Sequence, residues 1–341
     1  MVNKEFWQNK KVLVTGHSGF KGAWLSIILN NFGSKVYGLS SNTNVSKIYE
    51  LHNKNYLEKE FIIDIKDNSE DLIQIFKTNE FDYIFHLAAQ AYVSNAKKDP
   101  RETLLTNILG TYNILELNQT HQTSKNLVIS TTDKVYLNPS NMNIESDPLG
   151  GFEFYGVSKA SAEMVIEAYS NFDIDFNIRV VRSGNVLGPG DYGKDRLLTD
   201  VLNSLNNNLP IVIRNPESIR PWQDILDSLS GYLLVAENCS TEFKYDKFNL
   251  NAEINANFTV IEVVNMLVDN WPNKTEVKVE NNSNLLESEI LRLDSSKAKS
   301  TLGWSEKISM KEIITKLVEW ETNIPNIEKT TKNQINHYFK N

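Results

Sequence analysis

The 341-residue chain has a formal net charge of −8, 23% charged and 40% hydrophobic residues. That balance argues against a general nucleic-acid binder and provides for one large or two moderate cores. No apolar run reaches membrane-spanning length, the first residues do not read as a signal peptide, Cys239 is the only cysteine and the five histidines lack ligand spacing. The expectation is a soluble, cytoplasmic protein without a metal, an intrachain disulfide or a thiolate cluster.

In chain order, residues 10–15 read as a short buried strand, charged before it and apolar within. Gly16-His17-Ser18-Gly19-Phe20-Lys21-Gly22 follows, then a helical run over 23–29. Strand, glycine turn and helix in this order form a dinucleotide fingerprint, in which glycines let backbone amides approach a pyrophosphate at the helix N-terminus. Further strands are expected at 35–39, 61–64, 83–87, 126–130 and 178–182, with helices at about 70–78, 101–119 and 156–171 between them. This alternation predicts an α/β fold with a Rossmann-type, doubly wound parallel sheet covered on both faces. Asp64, His86 and Thr132 fall at or just past strand ends, where ligands gather in such sheets. After the second strand, Ser40-Ser41-Asn42 offers neither an acidic residue for a ribose 2'-hydroxyl nor an arginine for a 2'-phosphate. On residues alone the choice between NAD and NADP stays open.

The second half is less regular. Gly188-Pro189-Gly190-Asp191 breaks the pattern and Asn206-Asn207-Asn208-Leu209-Pro210 marks another turn. Phe248-Asn249-Leu250 and a helical stretch at 259–268 are expected to return to the sheet. Residues 289–299 and a helix at about 310–322 would complete a smaller α/β substrate-binding domain. The expected boundaries are 1–187 for the nucleotide-binding domain, with 248–270 returning to it, and 188–247 with 271–325 for the second domain. The polar tail, 326–341, is expected to be partly irregular.

Two segments carry the chemistry. In Tyr155-Gly156-Val157-Ser158-Lys159, tyrosine and lysine lie one helical turn apart on one face, where the ammonium can lower the phenol's pKa so that Tyr155 acts as a base. Ser130-Thr131-Thr132-Asp133-Lys134 supplies the Thr132 hydroxyl to the same reacting oxygen. Asp133 and Lys134 add a second acid–base pair that a simple dehydrogenase does not need, which points to an elimination. An ordinary lysine titrates at about 10.4, so Lys134 as a base requires desolvation or a neighbouring cation; the alternative is a structural ion pair with Asp133. Arg182 and Arg214 suit phosphate through their planar forks, or serve as ion-pair or surface arginines. Trp222 either packs the domain junction or contacts a base.

Taken together, these residues resemble the extended short-chain dehydrogenase/reductase superfamily. The most telling pieces are Gly16 to Leu25, His86-Leu87-Ala88-Ala89-Gln90, Thr132-Asp133-Lys134-Val135-Tyr136 and Gly184-Asn185-Val186-Leu187-Gly188. Ile213-Arg214-Asn215-Pro216 and Ile219-Arg220-Pro221-Trp222-Gln223 continue the match, which runs from Phe6-Trp7 to Ile335-Asn336-His337-Tyr338. Sugar-nucleotide epimerases carry serine-rich residues where this chain has Asp133-Lys134, and dTDP-glucose dehydratases carry Asp-Glu. The Asp-Lys pair is shared with the CDP-glucose 4,6-dehydratases, which the chain resembles most, and with inverting UDP-N-acetylglucosamine dehydratases.

The resemblance implies a lyase that turns CDP-D-glucose into CDP-4-dehydro-6-deoxy-D-glucose plus water in deoxysugar biosynthesis. It implies C4 oxidation by Tyr155 and Lys159 with Thr132, elimination by Asp133 and Lys134, and hydride return to C6. The alternatives are another nucleotide sugar or a 4-epimerase. NAD would be held by Gly16, His17, Gly19, Phe20, Lys21, Gly22, Asp64, Ile65, Leu87, Ala88, Ala89 and Asn107, with Tyr155 and Lys159. The nucleotide sugar would be held by Gln90, Asn185, Arg196, Arg214, Arg220 and Trp222. The resemblance also implies a homodimer through the helices near 101–119 and 156–171, which carry Ile108, Ile114, Leu115, Met164 and Ile166. The departures are Glu153-Phe154-Tyr155-Gly156 in place of Asp-Pro-Tyr-Ser, a shorter stretch from Tyr136 to Leu149, Asp224 where histidine is usual, and Leu286-Glu287-Ser288-Glu289 in place of a histidine-bearing segment. They fall where sugar or nucleotide would be read, so the chemistry is better specified than the substrate.

Overall fold

The computed structural model describes residues 1–340 apart from 42, 44, 139–141, 194–195, 240–243, 252, 256 and 281–291. Strands and helices alternate through the first half: β1 (Lys11–Thr15), α1 (Phe20–Asn31), β2 (Lys35–Ser40), α2 (Lys47–Leu51), β3 (Lys59–Ile62), α3 (Glu70–Thr78), β4 (Tyr83–His86), α4 (Val93–Lys98), α5 (Pro100–Leu104), α6 (Gly110–His121), β5 (Asn126–Thr132), α7 (Phe154–Ser170) and β6 (Asn177–Ser183). The second half adds β7 (Val186–Leu187), α8 (Leu197–Asn206), β8 (Ile211–Ile213), β9 (Gln223–Asp224), α9 (Ile225–Glu237), β10 (Tyr245–Leu250), α10 (Val260–Asn270), β11 (Val277–Val279), α11 (Ser296–Leu302), α12 (Met310–Thr322) and α13 (Ile327–Tyr338).

Seven strands form one parallel sheet in the order β10-β6-β5-β4-β1-β2-β3. Side chains alternate across it, as the two-residue period of a strand requires. Val12, Val14, Phe85, Val128 and Val181 face a core with Trp24, Leu25 and Ile28 of α1 and Leu229, Tyr232 and Leu233 of α9. Leu13, Ile84, Leu127, Ile129 and Val180 face the other core, with Leu72 and Phe76 of α3, Ile114 and Leu117 of α6, and Ile166 of α7. Both faces are covered, so the central strands read as continuous apolar runs. This is the doubly wound α/β arrangement. Two parallel two-stranded pairs, β8 with β11 and β7 with β9, stand beside it. Among the described residues no helix is long and apolar enough to cross a membrane.

Several elements differ from the sequence reading. The third strand ends at Ile62, because Asp64 caps a one-turn helix and its side chain accepts from the Lys66 amide. The expected helix at 101–119 is three consecutive pieces, with a wide π turn at Leu105–Leu109 joining α5 to α6. Of the segment expected at 289–299 to complete the second domain, residues 289–291 lie outside the described residues, and α11 starts at Ser296. The tail is not partly irregular: most of it is α13. Its apolar Ile327, Ile335 and Tyr338, followed by Phe339, bury against the main core. Phe339 meets Phe32 at the end of α1 edge to face at 5.0 Å, and the Tyr338 hydroxyl donates to Asp227 Oδ1 at 2.7 Å.

Candidate active site

A cleft of about 1130 Å³ opens at the C-terminal ends of the central strands. At its cofactor end the turn after β1 is shaped by glycine. Gly16 has φ of +73°, and a Cβ there would meet the Ala88 amide nitrogen at 2.7 Å; a Cβ on Gly22 would lie 2.1 Å from the Gly16 carbonyl oxygen. The turn therefore packs against the β4 loop only without side chains. Gly19 starts α1 with no side-chain cap, which leaves first-turn amides available for an anion. Gly16, Gly19, Phe20, Lys21, Gly22, Asp64, Ile65, Leu87, Ala88 and Ala89 all line the cleft. This cradle fits a dinucleotide pyrophosphate.

Two residues expected there do not line it. The His17 ring is buried behind the turn, its Nε2 2.7 Å from Glu60 Oε1, and Gly38 leaves room for it, since a Cβ there would meet the ring at 2.5 Å. Asn107 is buried in the wide turn. Its Oδ1 accepts from the Gln90 amide at 2.8 Å, and its Nδ2 donates to the Gln90 carbonyl at 3.0 Å and to Ser158 Oγ at 2.8 Å. It clamps the β4 loop to α7.

Thr132, Asp133, Lys134, Tyr155 and Lys159 converge on the cleft. Register between β5 and β6 sets Thr132 opposite Ser183 and delivers Asp133 and Lys134 into a single helical turn at the strand end. Thr132 Oγ1 donates to buried Asp133 Oδ1 at 2.9 Å, and Lys134 Nζ lies 3.5 Å from the same oxygen. That separation is longer than a direct charge-assisted hydrogen bond, so the pair is loose. On α7, Glu153 does the capping that the usual aspartate would do: its carboxylate accepts from the Tyr155 and Gly156 amides at 2.7 and 2.8 Å. Gly156 lets the helix approach the acid–base turn, since a Cβ would meet the Lys134 carbonyl oxygen at 2.6 Å.

Burial pushes the Tyr155 phenol up, against a hydrogen bond with Thr132 that pulls it down. Arg196, a cation from the second half of the chain, also pulls it down. Lys159 itself is buried. Burial lowers its ammonium to about 8, Glu163 opposes that shift and Lys21 adds to it. Lys21 Nζ is held by Ser183 Oγ at 2.6 Å.

Gln90, Asn185, Arg196, Arg214, Arg220 and Trp222 line the other end. Gln90 Nε2 donates to the Tyr92 carbonyl and to Thr103 Oγ1. Arg196 pairs with Asp191 and stacks 5.5 Å from the centre of the Tyr92 ring. Trp222 is buried with its indole N–H on the Phe258 carbonyl at 3.0 Å, so it packs the junction while edging the cleft. Arg182 is not at the cleft: it is fully buried in an ion pair with Glu163. Asp224 caps α9 through the Leu226 amide and pairs with Lys316 Nζ at 2.7 Å, so it replaces the usual histidine with a structural contact. Leu286 to Glu289 lie outside the described residues. The Cys239 thiol is pushed up to about 11 by burial.

The sequence reading missed Glu163, although its place four residues after Lys159 puts it on the same helical face. It also missed Tyr232, whose hydroxyl is 2.7 Å from Ser130 Oγ behind the site.

A family model described as GDP-mannose 4,6 dehydratase matches residues 13–317. The chain is 37% identical to a CDP-glucose 4,6-dehydratase of Salmonella typhimurium, over 94% of this chain and 92% of that one. Among solved structures, an epimerase from Methanothermobacter thermautotrophicus superposes with a TM-score of 0.81 at 24% identity, covering 96% of each chain. MoeE5, solved in complex with UDP-glucose and NAD, superposes with a TM-score of 0.77 at 22% identity, covering 92% of this chain and 98% of that one. At these identities the structural matches speak for the fold.

Proposed function

This chain belongs to the GDP-mannose 4,6-dehydratase family, and from that membership we propose that it is an NAD-dependent nucleotide-sugar 4,6-dehydratase whose substrate is CDP-D-glucose. The observation that carries the reading is the buried Thr132–Asp133 contact with Lys134 beside it, in the cleft that also holds Tyr155 and Lys159. An epimerase needs only the last two.

Tyr155 takes the proton from the sugar O4 while Thr132 hydrogen-bonds that oxygen and orients it. Lys159 would hold the nicotinamide ribose and supply positive charge to the cleft that Tyr155 shares. NAD, when bound, would supply the hydride acceptor for C4 and the hydride donor for C6, and the proton taken from C5 would be returned to C5 once C6 is reduced. The C4 ketone acidifies the C5 proton, which Lys134 removes while Asp133 protonates the departing O6 as water. Arg196, Arg214, Arg220 and Asn185 hold the nucleoside diphosphate, and the glycine turn with Asp64, Ile65, Leu87, Ala88 and Ala89 holds the cofactor. Enclosure keeps the unsaturated intermediate bound between stages.

The reading divides the chain into a cofactor domain, 1–187 with 248–270, and a substrate domain from 188–247 with 271–325. It takes the enzyme to be cytoplasmic, where its substrate and NAD are both available. It also includes a homodimer. Ile114, Leu115 and Ile166 are core residues and cannot serve it, whereas Leu109, Tyr112, Val157 and Met164 are exposed along the wide turn, α6 and α7. A second copy covering that face accounts for the exposed apolar row.

Mass spectrometry of the protein with CDP-glucose, and then with UDP-, dTDP- and GDP-sugars, tests the reading. Loss of water from CDP-glucose supports it, water loss from another donor only replaces the substrate, and an unchanged mass with an inverted C4 by NMR replaces it with a 4-epimerase.

A further inference from the structure

Glu163 and Arg182 are both fully buried and stand outside the cleft. Arg182 Nε donates to both Glu163 oxygens at 3.0 Å, and its NH2 donates to Oε2 at 2.5 Å. A buried ion pair recovers its desolvation cost poorly, and apolar residues of similar volume are often as stable or more so. Stability alone therefore does not account for a fully buried pair one turn from the active-site lysine.

The other bonds of the pair indicate a use. Thr131 Oγ1 donates to Glu163 Oε1 at 2.5 Å, and Arg182 NH1 donates to the Tyr136 hydroxyl at 2.8 Å. The Tyr136 hydroxyl donates to Asn249 Oδ1 at 2.8 Å on the edge strand β10, and Arg182 NH1 also donates to the Glu145 carbonyl at 3.1 Å. Thr131 and Tyr136 are the residues that bracket Thr132, Asp133, Lys134 and Val135. Both ends of the acid–base turn are thus tied to one ion pair. Its carboxylate sits on α7, four residues after Lys159, and its guanidinium sits on β6, directly across from Thr131 in the strand register. The hydride-transfer helix and the elimination turn share a single anchor.

We propose that the Glu163–Arg182 pair is a positioning device that fixes Asp133 and Lys134 relative to Tyr155 and Lys159, so that water is eliminated before the oxidised sugar escapes. The inference rests on the dehydratase reading. Its signature is partition. When the turn is loosened, oxidation still occurs, but some sugar leaves as the 4-ketohexose. That sugar has given a hydride to NAD and a proton to solvent, keeps its 6-hydroxyl, and leaves one reduced cofactor behind for each molecule lost.

The test is the double variant Glu163→Met/Arg182→Met, which removes both charges and leaves no lone buried ion. Full-length protein is assayed for NAD binding, for kcat and KM of water loss, and by mass spectrometry for released ketohexose matched against reduced-cofactor absorbance. The expected result is NAD binding and KM close to wild type, kcat for water loss lower on the order of 100-fold, and ketohexose released in proportion to reduced cofactor. Arg182→Lys keeps the charge without the fork and is expected to leak less. Wild-type kcat in the double variant, or a fall in kcat with no ketohexose, overturns the positioning role. If the double variant does not fold, Thr131→Val and Tyr136→Phe each cut one end of the anchor, and absence of leakage in both overturns the proposal. Wild-type protein that binds NAD yet removes water from no nucleotide sugar overturns the functional reading itself, an outcome visible before any variant is made.

Discussion

The two ends of the cleft are built differently. The cofactor end is backbone: a glycine turn that admits no Cβ, an uncapped helix start and small residues after β4. The substrate end is side chains on loops, with charges already engaged, as Arg196 is by Asp191. A backbone site tolerates no change in shape but carries little charge, whereas a side-chain site is set by pairing and can be retuned one residue at a time.

Substitution at each end should therefore fail in a different way. Gly22→Ala places a methyl group 2.1 Å from the Gly16 carbonyl oxygen, and NAD affinity is expected to fall by about 100-fold or more, on the order of 3 kcal/mol. Titration with NAD and with substrate nucleotide separately measures it, and equal loss of both would remove the distinction between the ends. Stability against pH gives an effect of similar size. Lys159 titrates at about 8 when folded against 10.5 ordinarily, so between those values the unfolded chain binds the extra proton and stability rises with pH. Urea unfolding from pH 8 to 10.5 is expected to show a gain of at most about 3 kcal/mol that Lys159→Met lacks.

Arg196→Gln acts at the other end. It removes a charge-assisted contact worth about 2 kcal/mol, so KM for the nucleotide sugar rises about 30-fold with NAD affinity unchanged. It also removes a cation that pulls the Tyr155 phenol down, so the rising limb of kcat/KM against pH moves to higher pH. A KM change without that movement would separate Arg196 from the base. The smallest effect lies away from both ends. Partly buried Glu306 is pushed up to about 7 by burial, so its carboxyl favours the fold below its ordinary value and loses that contribution as pH rises through 4.5 to 7. Glu306→Gln should raise stability at pH 8 by about 1 kcal/mol after solvent screening, and leave it unchanged at pH 4, by thermal unfolding.

What could be read in advance follows the same division. The sheet strands and the glycine turn impose a period and a residue type, so they show in one dimension. The His17 ring could not be placed, because its direction depends on Gly38 and Glu60 of neighbouring strands. Arg182 stayed ambiguous between phosphate and carboxylate because its partner sits on a different element. The apolar stripe of α13, Ile327, Ile335 and Tyr338, was hidden among asparagines and lysines. Arg196, which also acts on Tyr155, comes from the second half of the chain, beyond any local spacing.

The wide turn at Leu105–Leu109 has a consequence for which changes of length the chain can accept. Each residue of an α-helix advances the face by about 100°, so the extra residue in a π turn holds α5 out of phase with α6 by that angle. Thr103, which receives Gln90 Nε2, and Asn107, which holds Gln90 and Ser158, point where they do because of that offset. Substitutions at the exposed Leu109 leave the phase intact, while a single deletion anywhere in the turn would rotate one set of contacts away from the other. At this point in the molecule, residue count is constrained as tightly as the identity of Asn107.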